Sequence, residues 1–148
     1  MYKHILVPTD GSKLSLKAAR EAAALARVLK ARITAVYVME PYMPPLLMEG
    51  QMTRTSLGDD QAAYDKAAAK VAEAALKKVQ AAVGNVKCDR VSTTASQPYE
   101  GILNIARRRK CDVIVMGSHG RGVVAGVLLG SVTAKILSSS KTPVLVCR

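Results

Sequence analysis

The sequence predicts a single α/β domain, a parallel sheet with helices packed on both faces. Three observations carry this. Segments of strand and helix character alternate along the whole chain, the pattern of successive β-α-β units. Most strand segments are apolar at nearly every position, as burial on both faces demands. The chain has 148 residues, 49% of them apolar, enough for one sizeable core and the size of one ordinary domain.

His4-Ile5-Leu6-Val7-Pro8 opens as a short apolar strand and runs into the turn cluster Thr9-Asp10-Gly11-Ser12. A helix is predicted from Leu14 to Ala31, because Leu16, Ala19, Ala22, Ala23, Ala26 and Leu29 recur at helical spacing. Ile33–Met39 is the second strand, rich in β-branched residues. Pro41, Pro44, Pro45, Gly50 and Gly58 then mark a loop. An Ala-rich helix follows from Asp59 to Val83 and ends at Gly84-Asn85, a left-handed cap signal.

Val86–Thr93 reads as a polar third strand, with Lys87, Asp89, Arg90 and Ser92 interleaved, and so belongs at a sheet edge. A third helix spans Pro98–Arg109, with proline in its first turn. Cys111–Met116 is the fourth strand. The glycine-rich loop Gly117–Gly130 leads into a fourth helix, Ser131–Ser139, and Thr142–Cys147 closes the sheet. No internal repeat or domain boundary interrupts this order.

Composition narrows the function. The chain carries 22 Lys+Arg against 11 Asp+Glu, a formal charge of +11. Clustered cations would suit nucleic acid, but there is no Trp or Phe, and the five tyrosines are scattered. Single-strand binders stack bases on aromatic platforms. Read along the sequence, most of the basic residues fall on the solvent sides of helices, a solvated coat that concentrates polyphosphates without selecting among them. Along the sequence alone, the charge therefore does not argue for nucleic acid as a partner. Arg107-Arg108-Arg109-Lys110 fits the same picture, as cations complementing the last turn of a helix.

No apolar stretch approaches the ~20 residues of a membrane helix, and the N-terminus reads as a strand, not a signal peptide. A cytoplasmic protein without a membrane partner is expected. Cys88, Cys111 and Cys147 are widely spaced with no CxxC pair, which suits reduced thiols and not a metal site.

In open α/β sheets, ligands bind beyond the carboxyl ends of the strands. Two such loops are unusual here, Pro8–Ser12 and Gly117–Ser131. Glycines at 117, 120, 122, 126 and 130 allow backbone amides to approach a ligand. Ser131 is expected to be the N-cap of the fourth helix, with the amides of Val132 and Thr133 behind it, a ready anion site. Arg121 adds a forked cation suited to phosphate. A Walker loop is absent, because Val123 follows Gly122 where lysine would be needed. Spacing alone fits a phosphate cradle or a structural crossover equally. A Val at Gly130 separates them: it is expected to block backbone approach and leave the fold intact.

Gly117-x2-Gly120-x9-Gly130-Ser131 resembles the G-x2-G-x9-G-S/T nucleotide motif of the ATP-binding branch of the universal stress protein family. Ile5–Ser12, Val113–Gly120 and Thr142–Val146 resemble that family's first strand and loop, fourth strand and ending. The resemblance implies a five-stranded parallel sheet of order 3-2-1-4-5 with four helices, and ATP between strands one and four. Carried over residue by residue, it implies that Pro8, Thr9, Asp10 and Val38 line the adenosine side. Met116 and Gly117 would flank the ribose and adenine. His119, Gly120, Arg121, Gly130, Ser131, Val132 and Thr133 would surround the triphosphate. Asp10, the only acidic residue in these two loops, is a candidate to reach the ribose or a phosphate-bound Mg²⁺ or Mn²⁺ ion. The family also implies a homodimer through the last strand, and Val144-Leu145-Val146 is an apolar edge without guarding charges.

No catalytic residue is assigned. His119 lacks a recognisable nucleophile and orienting partner in sequence, so a phosphate contact is its expected role. The expectation is a nucleotide-dependent regulatory or stress-response protein; the alternative is a slow nucleotide hydrolase or nucleotidyl transferase in the same crevice. The segment Glu40–Asp60, with Leu46, Leu47, Met48 and Met52, is expected to be a loop packed on its own core, with a partner surface as the alternative.

Overall fold

The computed structural model describes residues 1–44, 54–121, 126 and 128–148. The elements are β1 (His4–Pro8), α1 (Lys13–Leu29), β2 (Arg32–Met39), α2 (Arg54–Val83), β3 (Cys88–Thr94), α3 (Pro98–Arg108), β4 (Val113–Gly117), α4 (Ser131–Ser139) and β5 (Val144–Cys147). All strand pairs are parallel, in the order β3-β2-β1-β4-β5. The polar β3 lies at one edge and β5 at the other.

Alternation along the strands explains the two layers. Ile5 and Val7 of β1, Ile33 and Ala35 of β2, and Val113 and Val115 of β4 pack with the alanine face of α1 and with Leu76, Val79 and Val83 of α2. Leu6, Val36, Ile114 and Met116 point the other way, onto Ile102 and Ile105 of α3 and Ile136 of α4. The chain thus winds one face with α1 and α2, then the other with α3 and α4. The strand order reverses between β1 and β4.

Most boundaries lie within one or two residues of the sequence expectation, and three of the differences have a visible cause. Helix α2 begins at Arg54 and not at Asp59. It passes through Gly58, whose cost of about 1 kcal/mol in a helix interior is offset by the alanine run that follows. Helix α1 stops at Leu29, because Lys30 turns left-handed (φ 53°) and its N–H bonds Ala26 O. Strand β4 starts at Val113, since the Asp112 carboxylate accepts the amides of Lys3 (2.9 Å) and His4 (3.1 Å). The predicted cap at Gly84 is present, with φ 68°. Leu46, Leu47, Met48 and Met52, and Gly122 of the glycine loop, lie outside the described residues.

His4 opens β1 buried, with Nε2 2.8 Å from Thr34 Oγ1 and its Nδ1 buried without a hydrogen-bond partner among the described residues. Burial, and then the Arg32 guanidinium, hold its pKa below the ordinary 6.5, against the opposing pull of the Asp112 and Asp89 carboxylates. Below pH 6.5 the unfolded chain therefore takes up a proton that the folded chain refuses. Stability present above that pH declines as pH falls toward the lowered folded value. His4→Gln should flatten this decline when urea midpoints at neutral and mildly acidic pH are compared. Equal acid losses in both proteins would show that His4 does not carry it.

Candidate functional site

Strands β1 and β4 are neighbours, but their chains leave for opposite faces of the sheet, so a crevice opens beyond their carboxyl ends. It encloses a cavity of about 470 Å³, within the range of small-molecule sites. The cavity brings together every site residue expected from sequence. Pro8, Thr9 and Asp10 follow β1, and Val38 comes from β2. Met116 and Gly117 end β4, followed by His119, Gly120 and Arg121, while Gly130, Ser131, Val132 and Thr133 enter α4.

Asp10 ties the two loops together. Its Oδ1 accepts the Ser12 amide at 2.9 Å and its Oδ2 accepts the Arg121 amide at 2.7 Å. Burial alone would raise its pKa. Hydrogen bonds from the Ser12 side chain and amide, the Arg121 amide and Ser15 outweigh burial and hold it below the ordinary carboxylate value. Asp10 is therefore a bound carboxylate anion at neutral pH.

The glycine loop packs too tightly for side chains. A Cβ on Gly120 would lie 2.7 Å from Asp10 Oδ2, and one on Gly117 would meet Leu14 Cγ at 3.0 Å. Arg121 reaches back over the first loop, with Nη2 3.3 Å from where a Gly11 Cβ would stand. Gly11 itself needs its left-handed φ of 79°.

The entry to α4 corrects one expectation. The N-cap is Gly130, not Ser131: Gly130 O accepts the first helical bond from Ala134 N (2.9 Å), and Ser131 is the first helical residue. Gly130 N–H is held by Ser118 O at 2.7 Å. Glycine at the cap supplies no side-chain bond to the amides of the first turn, and those of Ser131, Val132 and Thr133 have no helical acceptor by position. Thr133 is buried, its hydroxyl donating to Gly117 O at 3.0 Å, so only its amide is available to a ligand. A Cβ on Gly130 would press on His119 Cα (3.2 Å) and Ser118 O (3.3 Å). Gly130→Val would thus deform the loop itself, contrary to the clean block expected from sequence.

The remaining walls escaped the sequence reading. Val36, Tyr37 and Glu40 of the β2 end, Ser15 of α1, and Pro98 and Ile102 of α3 also line the cavity. Glu40 gives it a second carboxylate. Its position directly after β2 was the available signal, since ligands collect at strand carboxyl ends. The cavity is thus apolar between β2, α3 and Met116, and rich in donors at the start of α4. Beside the donors, Ser118 Oγ and His119 Nδ1 are 3.0 Å apart. Among the described residues, no group of three or more His, Cys, Asp or Glu could hold a metal ion by itself.

The model of the universal stress protein family matches residues 1–148. The chain belongs to that family. Universal stress protein MJ0531 of Methanocaldococcus jannaschii is 33% identical over 152 aligned positions, covering all of this chain and 83% of that one. Among solved structures, MJ0577 of the same organism superposes with a TM-score of 0.81 at 26% identity, over 99% of this chain and 95% of the other. A universal stress protein solved in complex with cAMP gives a TM-score of 0.65 at 26% identity, over 99% and 97% of the two chains. This universal stress protein thus shares its fold with a relative that holds a nucleotide. Among its described residues, no helix is long and apolar enough to cross a membrane.

Proposed function

We propose that the chain binds ATP in this crevice and acts as a nucleotide-dependent regulatory protein of the stress response in the cytoplasm. The observation that carries the reading is the polarity of the cavity. One end offers Val36, Val38, Ile102 and Met116 to a base, and the other offers the uncapped first turn of α4 and the Arg121 guanidinium to phosphates. Glycines at 117 and 120 keep side chains out of the space between them. A nucleotide fits both ends at once, and the cAMP-bound relative supports this class of ligand.

Asp10 accepts hydrogen bonds from the two loops and carries its charge toward the sugar and phosphate region. A divalent ion, Mg²⁺ or Mn²⁺, would arrive on the phosphates, with Asp10 or Glu40 as its carboxylate neighbours. The depressed pKa makes Asp10 a weak base, which favours binding over hydrolysis. The edge strand β5 leaves Leu145 45% exposed, and a second copy pairing there would cover it. We include this homodimer in the proposal.

Heating purified protein and identifying the released small molecules tests the reading. ATP in the supernatant, near one per chain, is expected. A chain that releases no nucleotide, and takes up none when ATP is added, would contradict it.

Gly101 shapes the base end from behind. A Cβ there would lie 2.8 and 3.0 Å from the two γ-carbons of Val38 and 3.2 Å from Ala95 Cβ. Gly101→Ala should push Val38 toward the cavity and weaken ATP about tenfold, an overpacking effect of roughly 1–3 kcal/mol. Tripolyphosphate, which leaves the base end empty, should lose little. Pairing it with Val38→Ala removes the clash and should restore ATP binding. If the pair binds no better than Gly101→Ala alone, this packing does not set the base slot.

A further inference from the structure

The chain enters every strand of the sheet through a cation. Lys3 precedes β1, Lys30 and Arg32 lead into β2, Lys87 precedes β3, the run Arg107–Lys110 leads into β4, and Lys141 precedes β5. Because all the strand pairs are parallel, these entries share one end of the sheet, opposite the crevice. Bonds from Arg32 N to Lys3 O (3.0 Å) and from Ile33 N to Lys87 O (2.8 Å) join three of them in one row. All nine side chains belong to exposed residues.

Two carboxylates stand among them, and both are engaged. Asp112 accepts the amides of Lys3 and His4, and Asp89 faces Arg109 at 4.0 Å. Nine cations against two anions place seven of the eleven excess charges at this end. Along the sequence these residues are scattered from position 3 to 141, and only the topology gathers them.

Helix C-termini attract cations, which accounts for part of the Arg107–Lys110 run. Lys3, Arg32, Lys87 and Lys141 lie in no helix, so the dipole does not account for them. Lys30 (φ 53°) and Lys110 (φ 52°) are the two positive-φ non-glycine residues among those described. At both, the chain keeps a cation where the backbone favours glycine.

We propose that this basic end binds the phosphodiester backbone of double-stranded nucleic acid without reading bases. Strands about 4.8 Å apart make a five-strand row about 20 Å long, and a duplex presents roughly a dozen phosphates over that length. Arginine forks suit such oxygens. The surface is built of turns and strand entries, with no helix laid out to enter a groove, so backbone contact is the mode it supports. Single strands would need stacking platforms. An anionic bilayer would attract the same charges, but stable attachment also takes an inserted apolar face, and that of α3 is buried through Ile102, Ile105 and Ala106.

Anisotropy of a fluorescently labelled DNA duplex, titrated between about 50 and about 200 mM salt, tests the proposal. Binding should weaken steeply with salt. Replacing Arg107, Arg108 and Lys110 together by Gln should lower affinity about tenfold or more and shrink the salt slope by about 2 to 3. The separate triple variant Lys3→Gln, Lys87→Gln and Lys141→Gln should do the same, independently of any effect on α3. Removing equal charge from α2, as Lys66→Gln, Lys70→Gln and Lys78→Gln, should change affinity by less than about threefold. Equal losses from the α2 variant would mean diffuse attraction and overturn the proposal. So would failure to bind the duplex, or a preference for single strands or phosphatidylserine vesicles over it.

Discussion

Gly120→Val is expected to lower ATP affinity about a hundredfold or more, with a fall in melting temperature of about 5–10 °C from the strained loop. Its Cβ would stand 2.7 Å from Asp10 Oδ2, closer than such atoms pack. The carboxylate has no free direction to yield, because it holds the Ser12 amide at 2.9 Å and the Arg121 amide at 2.7 Å. Either Asp10 swings out and breaks these bonds, or the glycine loop lifts away from β1. Charge-assisted hydrogen bonds contribute roughly 1.5–3 kcal/mol each, so losing both the bond to Arg121 and the shape of the cradle accounts for the hundredfold. The core is untouched, since the clash lies at the crevice mouth. Calorimetry with thermal melts checks both halves. Gly58→Ala, where nothing lies within 4 Å of the new Cβ, is the matched control. Gly120→Val that binds ATP like the parent would show that the loop is only a crossover.

Ile136→Ala is expected to be the most damaging single truncation for stability around the site, about 2–5 kcal/mol and a fall in melting temperature of roughly 5–15 °C. Helix α4 has nine residues, too few to persist in water without packing. Ile136 is fully buried and joins Leu6, Ile114 and Met116 beneath the crevice. With Thr133 bonded to Gly117 O, it fixes the N-terminus of α4 against the end of β4. ATP affinity should therefore fall together with stability, while Ile136→Val, which keeps most of the contact, should disturb both only slightly. A drop of only a degree or two for Ile136→Ala would mean that α4 is anchored elsewhere.

Local chemistry made much of this arrangement legible in the sequence. Apolar runs such as Ile5–Val7 and Val113–Val115, short, rich in β-branched residues and bounded by turn residues, fit strands buried on both faces, and the charges of β3 sent it to an edge. The glycine loop and Asp10 announced a crevice because they follow strands, where α/β folds place ligands. What failed depended on distances that sequence does not encode. Ser131 looks like a cap by type, but the bond from Gly130 N to Ser118 O sets the chain so that the glycine takes that place. Gly130 looked open to a ligand, yet it faces the backbone of Ser118 and His119. Pro98 and Ile102 became cavity walls only through the sheet order. The basic residues looked like a diffuse coat because their convergence is a property of parallel strands and not of spacing.

The proposed nucleotide would fill both ends of one crevice. Calorimetric titration of the protein with ATP, adenosine and tripolyphosphate in parallel tests this most directly. Saturable one-site binding of ATP is expected, with each fragment binding far more weakly and displaced by ATP. Equal affinity for ATP and tripolyphosphate, or no heat with ATP at all, would contradict it.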